Sequence, residues 1–130
     1  MSALYYEDLL GLRYAMGGRW PGTTIDCYGL VMECCRRACR PIPDPYTSAE
    51  QPSDLKRWIV ERLGGWTPTA GPVPGGVVEF RGGADYPAHI GYLLTARDFL
   101  HAMEKAGVVV GRLDREPWTH RVTGYYVYEF

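Results

Sequence analysis

Cys27, Leu30, Val31, Cys34, Cys35 and Ala38 recur three and four residues apart, the spacing of a helix that buries one stripe. Asp26 stands directly before them as a good N-cap. Arg36, Arg37 and Arg40 suit the C-terminal end, so a helix is predicted from Asp26 to about Arg37. Ser2 caps a shorter predicted helix through Leu12, carrying Leu4, Leu9 and Leu10. Ser53 caps a third, SDLKRWIVERL, in which Leu55, Trp58, Ile59 and Leu63 share a face. Between these lie GLRYAMGGRWPGTTI, a loop broken by Gly and Pro, and PIPDPYTSAEQP, an extended proline-rich connection. From Pro72 onward the apolar residues fall into short blocks bounded by Gly, Pro or Asp: GVVEF, HIGYLLT, FLHAM, GVVVGRL and VTGYYVYEF. Helices first and strands second predict an α+β fold, N-terminal helices packed on a C-terminal antiparallel sheet.

At 130 residues the chain has the size of a single domain, 1–130, with room for one core. A hydrophobic content of 46% against 22% charged residues argues against wholesale disorder. A net charge of −1 offers no footprint for nucleic acid or an anionic membrane surface. No apolar run approaches the ~18 residues of a membrane span, and MSALYYEDLLGLRY has acids where a secretory leader has bases. The expected origin is therefore the cytoplasm, without a signal peptide. All four cysteines, Cys27, Cys34, Cys35 and Cys39, crowd into one segment where mutual pairing is geometrically poor, so reduced thiols are expected. Cys34, Cys35 and Cys39 lack the paired spacing of a zinc site, and the sequence calls for no metal and no cofactor.

Cys27 is the first residue of the predicted central helix, where unpaired N–H groups and the dipole favour a thiolate. A buried structural Cys is the competing reading, and the histidines decide between them. HIGYLLT and FLHAM form a hairpin, and facing residues in an antiparallel pair keep a constant index sum. His89 and His101 share a face only if that sum is even. A two-residue loop would put them on opposite faces; a loop of Thr95 to Arg97 would satisfy the condition, pairing Leu94 with Asp98 and Gly91 with His101. That register is expected to present both imidazoles toward the helix that Cys27 opens. A thiol, an imidazole to move its proton and a third group to orient the imidazole make a nucleophilic set. His120 is assigned to the surface with no role.

These residues resemble the NlpC-type branch of the papain-like cysteine peptidases. The resemblance is carried by Asp26-Cys27-Tyr28-Gly29-Leu30-Val31, by His89-Ile90-Gly91 and by Leu100-His101-Ala102. Tyr14 before Gly17-Gly18, and the strand Gly75-Gly76-Val77-Val78-Glu79-Phe80, complete it. It implies a peptidase that cleaves amide bonds in peptidoglycan stem peptides, with Cys27 as nucleophile, His89 as base and His101 orienting His89. Tyr14 and the Cys27 N–H would then polarise the carbonyl. The compact form is similar to versions carried by tailed phages, which implies tail-tip proteins as partners and a virion tail tip as location. Two departures from the pattern are Tyr28, expected to narrow the cleft or alter specificity, and Gly76 in place of a common Asp. A structural tail-tip subunit without turnover, and acyl transfer or deamidation by the same residues, are the alternatives.

Overall fold

A computed structural model describes residues 4–44, 66–81 and 89–128. Asp26 lies in extended backbone (φ −100°, ψ 179°), and its side chain accepts from the Gly29 N–H at the start of helix α1 (Cys27–Arg37). The other end closes by a Schellman motif: Cys39 N–H donates to the Arg36 carbonyl and Arg40 N–H to the Cys35 carbonyl. Cys39 takes the left-handed position of that motif, at φ 61°, where a side chain is strained and Gly is free. Cys39→Gly is accordingly expected to stabilise the protein by about 1 kcal/mol in urea melts. No gain would mean that the Cys39 side chain makes up for the strain. Ala38, placed by periodicity on the buried stripe, is the exposed C-cap residue instead.

Of the helix expected from Ser2 to Leu12, the described part holds only a 3₁₀ turn, Glu7–Leu9. Leu10 turns to extended backbone, and Gly11 follows at φ 84°. There the chain joins the edge of strand β7 (Gly107–Arg112), Gly11 N–H donating to the Val108 carbonyl and Val108 N–H to the Leu12 carbonyl. Leu9 is buried, and Arg37 grips Asp8 through two hydrogen bonds (2.6 and 2.8 Å). A helix this short is marginal on its own, and these tertiary contacts outweigh it. The expected helix SDLKRWIVERL lies outside the described residues. α1 is therefore the one α-helix among the described residues, and packing of several N-terminal helices gives way to packing of one.

The remaining strands are β3 (Trp66–Thr69), β4 (Val77–Phe80), β5 (His89–Leu93), β6 (Asp98–Met103) and β8 (Val122–Tyr128). With β7 they make an antiparallel sheet in the order β3-β8-β4-β5-β6-β7. Five of the six coincide with the apolar blocks read from the sequence. β3 escaped because WTPT contains Pro68, which a ladder tolerates only at an edge, where β3 lies. The stretch read as a broken loop also holds a short parallel pair, β1 (Arg13–Tyr14) with β2 (Thr24–Ile25).

Side chains alternate across the sheet, and each face has its own apolar cluster in place of the single core expected. Ile90, Tyr92, Leu100 and Ala102 meet Leu30, Val31 and Cys34 of α1. Val78, Phe80, Leu93 and Phe99 form the opposite cluster, closed by Trp118 from a 3₁₀ turn (Trp118–His120). At Gly76, a Cβ would come 2.6 Å from the Tyr126 carbonyl oxygen, so the departure there follows from close backbone approach between β4 and β8.

Candidate active site

Cys27 opens α1 and is 6% exposed. Backbone N–H groups of Ile90, Tyr28 and Cys27 itself point at its sulfur and favour the thiolate. Burial outweighs them, with help from the Asp26 charge, and pushes the thiol up to about 12. The expectation of a thiolate at the helix tip is thus corrected: the favouring N–H groups are present, but desolvation wins and the resting sulfur holds its proton.

Asp26, 1% exposed, fastens the loop before α1 to the helix start. Its Oδ2 accepts from Gly17 N–H (2.9 Å), and its Oδ1 accepts from Gly29 N–H (2.7 Å) and Arg19 Nη1 (2.9 Å). The loop lies so close that a Cβ on Gly29 would come 2.5 Å from the Gly18 carbonyl oxygen. Just upstream, Tyr14 pairs with Ile25 across β1 and β2, and its phenol lies close enough to feel the charge of Cys27. Burial pushes Tyr14 up to about 12, with further contributions from Cys27, Asp26 and Glu104.

β5 and β6 pair Tyr92 with Leu100 and Leu93 with Phe99, the even index sum that the histidine argument requires. Leu94 N–H donates to the Asp98 carbonyl (2.9 Å), closing the Thr95–Arg97 loop. His89 and His101 do share a face, and His89 Nε2 lies 2.8 Å from His101 Nδ1. The face itself is the reverse of the one expected. Ile90, Leu100 and Ala102 look toward α1, whereas the imidazoles join Phe80, Phe99 and Trp118 on the other side. Strict alternation forces this once the neighbouring apolar residues pack on the helix. The sulfur meets the strand at its backbone, at the Ile90 N–H directly after His89.

Aromatic rings enclose the pair: Trp118 stands edge-on to His101 at 4.8 Å, and Phe80 stacks on His89 at 5.9 Å. Burial lowers His89 to about 4; burial and then the neighbouring His89 lower His101 to about 3. Both rings are therefore neutral in the folded protein down to mildly acidic pH. An unfolded chain returns them to about 6.5 and binds protons that the folded state refuses. Between pH 6.5 and about 3, stability is expected to fall as pH falls, both rings contributing down to about 4 and His101 alone below it. Urea melts across that window check the sign, and a flat profile would mean that the rings titrate freely.

The sequence brought Tyr14, Cys27, His89 and His101 into view, and overlooked Arg19, Asp44 and Trp118. Arg19 directly follows Gly17-Gly18, but no spacing rule marks it as a partner of Asp26. Tyr28 does not enter a cleft: it is fully buried and donates to the Pro43 carbonyl (3.2 Å). His120 is exposed and pairs with Glu116 at 2.8 Å. Cys34 and Cys35 are buried free thiols. Among the described residues, no group of three His, Cys, Asp or Glu side chains is placed to hold a metal ion, and no helix is long and apolar enough to cross a membrane.

The sequence model of the NlpC/P60 family matches residues 11–127. No curated protein matches the chain. Among solved structures, the chain is similar to a lipoprotein-like NLP/P60-family protein of Staphylococcus aureus, with a TM-score of 0.66 at 19% identity over 95% of this chain. It is similar also to NlpC1 of Trichomonas vaginalis (0.64, 22% identity, 94% of this chain) and to NlpC2 of the same organism (0.61, 19%, 94%). The chain spans 38%, 41% and 44% of those three chains. At these identities the likeness is one of fold. It carries no tail-tip setting.

Proposed function

Because the chain belongs to the NlpC/P60 family, in general a family of cell-wall peptidases, we propose that it is a cysteine peptidase hydrolysing amide bonds in peptidoglycan stem peptides. The observation that carries the reading is the His89 Nε2 to His101 Nδ1 contact of 2.8 Å, beside a sulfur held at the next backbone N–H. With His89 Nε2–H donating to His101, the lone pair of His89 lies on Nδ1. That nitrogen is the one left to take a proton from Cys27.

Substrate entry displaces water from the nucleophile, and His89 Nδ1 takes the thiol proton as sulfur attacks the carbonyl. His101 stabilises the resulting imidazolium through the Nε2–H bond. Oxyanion charge develops toward the Cys27 N–H at the helix tip and the Tyr14 hydroxyl, whose raised pKa keeps it a donor. His89 then protonates the departing amine, and water resolves the thioester by the reverse path. A neutral resting pair, in place of a thiolate and imidazolium, means that proton transfer accompanies attack.

Incubation with purified stem peptides, followed by mass spectrometry, should yield two fragments that differ from the substrate by one added water. Addition of a primary amine separates hydrolysis from transfer, because a transferase would place that amine on the acyl fragment. Intact stem peptides across wall chemotypes, with a folded protein whose Cys27 remains inert to thiol reagents, would favour the structural-subunit reading.

A further inference from the structure

Cys27 has a carboxylate for a neighbour. Asp26 precedes it in sequence, is 1% exposed, and opposes ionisation of the sulfur. Arg19 faces that carboxylate directly, at 2.9 Å from Nη1 to Oδ1, and the same nitrogen donates to the Gly18 carbonyl at 2.8 Å. The far side of the guanidinium is held by Asp44, from Nε to Oδ2 (3.0 Å) and from Nη2 to Oδ1 (3.1 Å). Three stretches of chain therefore meet at one side chain: the Gly17-Gly18 loop that follows Tyr14, the first turn of α1, and the segment returning through Ile42 and Asp44. Arg19 is mostly buried, with 21% of its side chain exposed, so its charge acts through protein more than through water.

We infer that Arg19 is a positioning residue for the nucleophile: held between Asp26 and Asp44, it offsets the carboxylate beside the sulfur and fixes the Gly17-Gly18 loop against the helix start. The inference rests on the reading of Cys27 as the nucleophile. Arg19 acts on the sulfur through Asp26. Other ionisable groups acting on the sulfur or its partners are Tyr14 from β1 and Glu104, which acts on Tyr14; on the strands beyond Ile90 lie His89 and His101. Arg19 is the one cation in this set at neutral pH. Removing it leaves Asp26 to oppose the thiolate with less compensation.

The test is the pH profile of Cys27 alkylation by iodoacetamide in the full chain, read on the Cys27 peptide by mass spectrometry so that exposed Cys39 does not interfere. Arg19→Met is expected to slow labelling at pH 8 about tenfold, the size of effect that a lost opposite charge has on a nearby ionisation. Arg19→Lys should stay within about threefold of the parent by the same argument. Asp26→Asn, which keeps a capping side chain, should itself quicken labelling, and adding Arg19→Met should bring it back toward the parent rate. Labelling unchanged in folded Arg19→Met, or not quickened by Asp26→Asn, would overturn the inference. Should Arg19→Met fail to fold, Asp44→Asn decides, because removing that competing carboxylate should quicken labelling, whereas loss of mere scaffolding would slow or not move it. Labelling needs no turnover. The expected labelling pattern without any amide hydrolysis would therefore fault the peptidase reading and leave the role of Arg19 standing.

Discussion

Cys27→Ala and His89→Ala are each expected to lower kcat/KM for stem-peptide hydrolysis by at least ~10³-fold, or about 4 kcal/mol of transition-state stabilisation. Cys27→Ala removes the attacking atom, and no neighbouring group replaces it: Cys34 and Cys35 lie further along α1, buried against the sheet. His89→Ala leaves a thiol whose proton has nowhere to go, in a pocket that already holds it up to about 12. The two side chains act as one unit, so the double variant should be little worse than either alone. Folding is the necessary control. Sulfur contributes modestly to the packing at Cys27, and its loss should cost about 1 kcal/mol. His89→Ala also strips His101 Nδ1 of its partner, so its melt must be measured alongside. Either variant retaining activity within tenfold of the parent, well folded, would remove Cys27 and His89 from the chemistry.

Much of this arrangement was legible before any coordinates. The N-cap at Asp26, the end of α1 at Arg37 and five strands follow from local rules: capping chemistry, helical spacing and alternation bounded by turn residues. Counting showed that an odd hairpin loop would bring His89 and His101 to one face; that the loop is Thr95–Arg97 is settled by the β5–β6 pairing. Which way that shared face looks did not follow. It depends on which alternating set packs on α1, and only the competition of Ile90, Leu100 and Ala102 with the imidazoles settles it. The state of the Cys27 thiol was misjudged for a related reason. A helix tip is a local feature readable from sequence, whereas desolvation is set by everything folded over it. Arg19 and Asp44 are 25 residues apart, and nothing in their spacing announces a shared partner. The N-terminal segment shows the same limit: its apolar spacing suits a helix, yet hydrogen bonds to the β7 edge and the grip of Arg37 on Asp8 draw it elsewhere.

Tyr28→Ala is expected to cost about 3–5 kcal/mol of stability, the range for emptying a large buried aromatic site. From sequence, a bulky residue directly after the nucleophile reads as an obstruction in the cleft, and its truncation would then open the site and raise turnover. The structure assigns it to the core. Tyr28 is 0% exposed, clusters with Ile25, Leu30 and Ile42, and reaches past them to the Pro43 carbonyl. Truncation leaves a cavity under the first turn of α1 and frees the returning segment that carries Asp44. Tyr28→Phe separates the two contributions. It keeps the ring and loses the hydroxyl with its hydrogen bond to the carbonyl of exposed Pro43, which water can satisfy, so about 1 kcal/mol is expected. Urea melts of both variants give the stability terms, and kcat/KM per folded molecule gives the other arm. Tyr28→Phe should turn over at nearly the parent rate, because the hydroxyl points away from the sulfur. An Ala variant as stable as the parent, with faster turnover, would return Tyr28 to the cleft and require the α1 N-terminus to open toward substrate on the Tyr28 side.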